Sequence, residues 1–347
     1  MKNCLHILLA VLLTFTVQSC SIIDDDLTKC PEKNQTFQLN YEMRLVTNMD
    51  IELDLVLNAV TDTLVRRLVH QNLSSIFSDH AHDVDLSFFR TTDGERSYYR
   101  NDIIDDNRSS FTFYLPKESY RHLALANIDD AETIRKTNDL SQDLLSIRNI
   151  EGDTLPSQTT GLFSARLDMD VQDSIDQEFD VHLFMVNSAM ALVIDTTDVS
   201  VDNIEVYTIG TGCGFSVNDS VFDFSRKPVV HANELKVDRF DMPEKSGQNR
   251  IEPAMRQKFA AFTSVNFPSD NLLTTDGYWQ VHVYTKLKSG SVTQTKLSIP
   301  TPLHAGELKV IRAKLGTEGQ VTPVTASEAG VSVTLDWKPA DEYNQDW

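Results

Sequence analysis

The chain has 347 residues, 41% of them hydrophobic, and carries 51 Asp and Glu against 31 Lys and Arg, for a formal net charge of −20. A length of this order suggests two domains of about 150 residues each. A surface this acidic repels phosphate backbones, and no Lys/Arg stripe with interleaved aromatics is present, so a nucleic-acid partner is not expected.

The first residues read as a secretory signal: Lys2, an apolar run over 7–15, then Val17-Gln18-Ser19-Cys20. The run is shorter than the roughly 20 consecutive apolar residues a spanning helix needs, so residues 1–19 are expected to be a signal peptide. Cys20, preceded by small Ser19, resembles the lipobox cysteine of bacterial lipoproteins, which implies acylation and a lipid anchor. Residues 20–33, with Asp24-Asp25-Asp26, then form an acidic tether. With Cys4 removed in the signal and Cys20 acylated, Cys30 and Cys213 remain as one pair able to form a disulfide, or as two buried thiols.

The body reads as strands. Residues 37–43 and 51–57 alternate polar and apolar side chains with the period of two expected where one face is buried. Leu64, Val65, Leu68, Val69, Leu73, Ile76 and Phe77 recur at helical spacing, and Asp62 stands at a capping position, which predicts a helix over 62–78. Strands resume at 84–89, 110–115 and 120–127. Gly152, Pro156 and small polar residues through Gly161 mark a linker, so the domains are drawn as 34–155 and 156–347. Further strands are expected at 179–185, 190–196, 203–209, 260–267, 279–286, 292–299 and 307–313. Short strands with turn signals and little helix favour antiparallel sandwiches over a parallel α/β sheet.

Motifs that carry chemistry are sparse. His80-Ala81-His82 with Asp79, Asp83 and Asp85 has the alternation that brings ligands to one strand face, but no third ligand motif accompanies it, and a polar loop entering a strand is the preferred reading. Gly210-Thr211-Gly212-Cys213-Gly214 lacks the Gly-Lys-Ser/Thr ending of a phosphate loop and reads as a turn or bulge. No nucleophile elbow is present, so neither an enzyme nor a cofactor is expected.

Several segments together carry a resemblance. The lipobox and acidic tether lead to Asp26-Leu27-Thr28-Lys29-Cys30-Pro31; Asp83-Val84-Asp85-Leu86-Ser87-Phe88-Phe89 leads to Thr92-Asp93-Gly94; and Phe111-Thr112-Phe113-Tyr114-Leu115-Pro116 precedes Ala124-Leu125-Ala126-Asn127. With the closing Gly330-Val331-Ser332-Val333-Thr334-Leu335-Asp336-Trp337, this order resembles the FimB-type fimbrial anchor lipoproteins. The resemblance implies a mainly β fold of two transthyretin-like antiparallel β-sandwich domains, with the one helix in the first. It also implies fimbrial stalk subunits as partners and a lipid-anchored place in the outer membrane at the base of a fimbria. There the protein would hold the fibre, limit its length and contribute to adhesion.

Val331, Val333, Leu335 and Trp337 line one apolar face of the last strand. That strand either closes its own sheet or is donated to a groove in a partner subunit. The competing class is a surface glycan-binding lipoprotein, for which Trp279, Trp337 and Trp347 are the candidate stacking platforms.

Overall fold

The computed structural model describes residues 36–46, 63–77, 83–103, 110–129, 131–139, 144–173, 177–236, 259–325 and 329–334. In chain order these form β1 (Thr36–Val46), α1 (Thr63–Ile76), β2 (Asp83–Arg90), β3 (Arg96–Ile103), β4 (Ser110–Pro116) and β5 (Ser119–Ala126). Next come β6 (Ile134–Asp139), β7 (Leu144–Asn149), β8 (Thr154–Pro156), β9 (Phe163–Asp170), β10 (Gln177–Met185), β11 (Ser188–Asp195) and β12 (Val201–Ile209). Four short strands follow, β13 (Gly214–Ser216), β14 (Val221–Asp223), β15 (Val229–His231) and β16 (Asn233–Glu234). The last are β17 (Phe259–Asn266), β18 (Trp279–Leu287), β19 (Val292–Ile299), β20 (Leu308–Leu315), β21 (Val321–Pro323) and β22 (Gly330–Thr334).

The first seven-stranded sheet runs β3-β2-β5-β9-β10-β1-β4. Between β9 and β10 the ladder holds two pairs, Phe184↔Ser164 and Met185↔Phe163, against eight between β9 and β5. The sheet folds over at that seam into two layers, which pack their apolar faces together. Tyr41 of β1 meets His122 of β5, and Phe88 of β2 meets Phe113 of β4, each with ring centroids 5.3 Å apart.

The second sandwich packs the layer β16-β17-β11-β20-β21 on β22-β19-β18-β12-β15-β8 through Met190, Leu192, Phe262, Ile311, Trp279, Val281 and Leu297. Among the described residues the fold is thus mainly β, in two sandwiches with one helix, and antiparallel pairing dominates. The parallel exceptions are β1 with β10, β11 with β20 and β15 with β8.

The helix forms where the spacing predicts it. Val65, Val69, Leu73 and Ile76 are buried on one stripe, and they pack in the first core together with Ala189, Ala191, Val193, Ala261 and Val265 from β11 and β17. The odd positions of β11 therefore face the helix while its even positions face the second core, and this layer is buried on both faces. The Thr263 hydroxyl donates to Asn72 Oδ1 at 2.8 Å, pinning the helix to β17. A small fourth sheet, β14-β13-β7-β6, covers the outer face of β2 and β5, where Phe89, Leu123 and Leu125 meet Leu145, Ile147 and Phe215.

The later part of the stretch expected to be a linker, from Ser157 to Leu162, is a junction with buried polar groups. Ser157, Gln158 and Asn187 are all buried. The Gln158 amide donates to the Val265 carbonyl at 3.0 Å, and the Val265 N–H donates to Ser157 Oγ at 2.8 Å. Asn187 Nδ2 donates to Gln158 Oε1 at 3.1 Å and to the Thr160 carbonyl at 2.8 Å, while its Oδ1 accepts from the Leu162 N–H at 3.1 Å. Gly161 donates to the Ile76 carbonyl at the end of α1; a Cβ there would stand 2.9 Å from that oxygen, so the approach requires glycine.

The boundary expected at 155/156 does not part the two sandwiches. β8 (Thr154–Pro156) pairs into the second sandwich, β9 and β10 then hydrogen-bond back into the sheet of β1 and β5, and the main run of second-sandwich strands starts at β11. Gly152 and Pro156 mark a bend that faces water, whereas Ser157, Gln158, Gly161 and Leu162 just beyond it are buried.

Asn187→Ala would strand Gln158 Oε1, the Thr160 carbonyl and the Leu162 N–H. At about 1–3 kcal/mol for a stranded group, urea denaturation should show a loss of about 3 kcal/mol, against less than about 0.5 kcal/mol for exposed Asn203→Ala. Equal, small losses for both would mean that the junction tolerates water in place of the amide.

Candidate functional site

β1 is the element from which a tethering role can be built. Phe37, Leu39, Tyr41 and Met43 point inward and Gln38, Asn40, Glu42 and Arg44 point outward, the alternation visible in the sequence. Leu39, Tyr41 and Met43 are buried, each contributing about 2 kcal/mol by the usual scaling of apolar burial. The strand is bonded along both edges, parallel to β10 over eight pairs from Leu39↔Gln177 to Val46↔Phe184, and antiparallel to β4 over seven from Thr36↔Pro116 to Glu42↔Ser110. Its slot is therefore filled.

Tyr41 also fixes β1 to the facing layer. Its hydroxyl lies 2.8 Å from His122 Nε2, and His122 Nδ1 lies 3.0 Å from the Ser87 carbonyl. A carbonyl only accepts, so Nδ1 carries the proton, Nε2 accepts, and the Tyr41 hydroxyl donates. The imidazole stacks on Phe88 with centroids 4.2 Å apart. Burial pushes the His122 pKa down to about 4, opposed by the hydrogen bond to Ser87, and burial raises the Tyr41 pKa. Nothing in the sequence marked His122: it shares the core-facing side of β5 with Tyr120, Ala124 and Ala126.

At the other end of the chain, β22 pairs antiparallel with β19, from Ser298↔Gly330 to Gln294↔Thr334, and forms the edge of its sheet. Val331 is 44% exposed, so this strand is held mainly by its ladder. Leu335 and Trp337 lie outside the described residues, as do Cys20, Cys30, His80, His82 and Trp347.

Cys213 carries a free, buried thiol that donates to the Asp223 carbonyl at 3.3 Å. The glycine-rich segment is a turn leading from β12 to β13, with Gly210 at φ +94° against Trp279. Trp279 is buried and donates from Nε1 to the Thr301 carbonyl at 3.1 Å, a core role that removes it as a stacking platform. Asp83 and Asp85 both lie on β2, and among the described residues no three His, Cys, Asp or Glu side chains converge to hold a metal ion. Among the same residues no helix is long and apolar enough to cross a membrane.

Comparison with known proteins places these features in a family context. The family model described as fimbrillin-A associated anchor proteins Mfa1 and Mfa2 matches residues 51–230. A comparison with curated proteins gives no match. Among solved structures, the fimbrial anchor protein Mfa2 from Porphyromonas gingivalis is similar at 9% identity and a TM-score of 0.48, over 86% of this chain and 98% of that one. An adhesin candidate from Bacteroides ovatus is similar at 10% identity and 0.49, over 86% and 95%. A candidate polysaccharide-binding protein from Bacteroides thetaiotaomicron is similar at 8% identity and 0.48, over 86% and 95%.

His122 generates a pH dependence whose sign is fixed. The unfolded chain protonates this imidazole near its ordinary 6.5, whereas the folded core holds it neutral down to about 4. Its contribution is present above about pH 6.5 and is lost as the pH falls toward 4, by up to about 3 kcal/mol. Urea denaturation across that interval should show a steeper fall for the wild-type chain than for His122→Gln. Parallel curves would mean that His122 is protonated inside the fold.

Proposed function

Since the chain belongs to the fimbrillin-associated anchor family, with its model matching residues 51–230, we propose that it anchors a surface fimbria to the outer membrane and ends the growth of the fibre. A fimbria-associated role follows from the family itself. The finer assignment rests on one observation above all: β1 is bonded along both edges and buried in its sandwich. A subunit whose first strand fills its own slot offers no vacancy there for a further subunit, so polymerisation stops at it.

In this reading Cys20 bears the lipid, residues 20–33 cross the distance from the membrane, and β1 takes the load into the fold. The fimbrial stalk subunit is engaged at the opposite end of the chain. Residues 330–337, with Val331, Val333, Leu335 and Trp337 on one face, leave the sheet edge and add to the partner as a strand. An edge position with a half-exposed Val331 makes this release cheaper than removing β1 would be. No catalytic step belongs to this role.

Two substitutions divide the proposal. In cells expressing Cys20→Ser, the protein and its fibres are expected in the medium rather than in the membrane fraction, and retention there would overturn lipid anchoring. Val333→Asp combined with Leu335→Asp should leave a folded, membrane-bound protein that no longer co-purifies with fimbriae. Normal fibres on that variant would make the last strand an internal one, and sugar binding on a glycan array would favour the glycan-binding reading instead.

A further inference from the structure

The gap between the first sandwich and the small covering sheet holds a lysine and a carboxylate in an unusual setting. Asp85 of β2 and Lys136 of β6 are in direct contact, Nζ against Oδ2, with 2% of the aspartate side chain and 26% of the lysine side chain exposed. Asp85 Oδ1 accepts two hydrogen bonds, from the Tyr99 hydroxyl at 2.7 Å and from Asn101 Nδ2 at 2.8 Å. Among the described residues Oδ2 accepts no hydrogen bond and has only the lysine contact. Asp83, buried two positions along the same face of β2, acts on Lys136 through its charge, and its Oδ2 accepts from the Ile128 N–H at 3.2 Å and the Asp129 N–H at 3.4 Å.

An ordinary ion pair is the simplest description, yet two features go beyond it. Burial lowers the Lys136 pKa, against the opposing charge of Asp83, which favours the neutral amine. With the carboxylate buried and the lysine only partly exposed, moving one proton from the ammonium to the carboxylate exchanges two poorly solvated charges for two neutral groups. The second feature is that both donors aim at a single oxygen of the carboxyl group, the arrangement that stabilises charge developing there on addition of a nucleophile.

We propose that Lys136 and Asp85 are joined by an isopeptide bond that the folded chain forms by itself. The neutral Lys136 Nζ adds to Cγ of Asp85 in its acid form, making the C–N bond, and the negative charge on Oδ1 is met by Tyr99 and Asn101. Asp83 takes one proton from the nitrogen and passes it to Oδ2, the Cγ–Oδ2 bond breaks, and the oxygen leaves as water. An amine and a carboxylic acid thereby give an amide and one water, with no oxidant, reductant or co-reactant. The product staples β2, in the centre of its layer, to β6 of the covering sheet, so neither layer can be peeled from the other by force. This inference stands independently of the anchoring role.

The test is peptide mapping by mass spectrometry on the full-length protein purified from cells. The wild-type chain is expected to give a branched peptide joining the Asp85 and Lys136 segments, lighter than their sum by one water, with trypsin failing to cut after residue 136. Lys136→Met and Asp85→Ala should give linear peptides, and Asp83→Asn should give mostly linear peptides in a chain that still folds. Two linear peptides of full mass from the wild-type protein, cut after Lys136, would overturn the proposal and leave an ion pair. The wild-type result decides this even where a variant fails to fold. Branched peptide from Asp83→Asn at wild-type yield would overturn the proton-carrying role of Asp83.

Discussion

The fold depends on satisfying the polar groups buried between Asn149 and Leu162. Glu151 to Thr154 and Pro156 lie at the surface, but Asn149, Ser157, Gln158 and Leu162 are buried, and a buried amide left without a partner costs more than most single contacts return. Gln158 and Asn187 meet the demand by bonding each other and the surrounding backbone, while Ser157 and Gln158 clasp β17. Asn149 adds the covering sheet to the same network, accepting from Gln158 at 3.4 Å and donating to the Gly212 carbonyl at 3.4 Å. The two sandwiches and the covering sheet are thus held by one set of hydrogen bonds, whose geometry leaves little freedom in how they meet.

The second consequence of this layering is that β2 and β5 are buried on both faces. Val84, Leu86 and Phe88 face the sandwich core, whereas Asp83, Asp85 and Ser87 face the covering sheet. Polar side chains on the second face are consequently dry and must find specific partners, which is how Asp85 comes to lie against Lys136 with its other oxygen held by Tyr99 and Asn101. His122, on the core-facing side of β5, is held the same way between Tyr41 and Ser87.

In the proposed anchor these pieces lie along one path of force. A pull on the tether reaches β1 at Thr36 and is shared by ladders on both of its edges, a shear geometry in which many hydrogen bonds must break together. The Tyr41–His122 bond ties β1 across to β5, and β5 pairs with β2 along its length. From there the junction carries the load into the second sandwich, whose last strand sits at a sheet edge.

The sequence by itself determined the local elements, because they depend on periodicity along one strand or helix. The alternation at Phe37 to Met43 yields β1, the stripe Val65, Val69, Leu73 and Ile76 yields α1, and the apolar strands from β10 to β20 fall close to their expected limits. Only the tertiary structure decided what depends on which surfaces meet. The exposed-looking strand β3, with alternating half-buried residues, and the short strands β6 to β8 and β13 to β16 exist because other layers complete them. Gly and Pro between 152 and 161 signalled a change of direction correctly, but whether such a bend faces water or a neighbouring sheet is not written in its own residues. The pairings of Tyr41 with His122 and of Asp85 with Lys136 are equally nonlocal, since each joins strands far apart in the chain and arises only when two layers are pressed together.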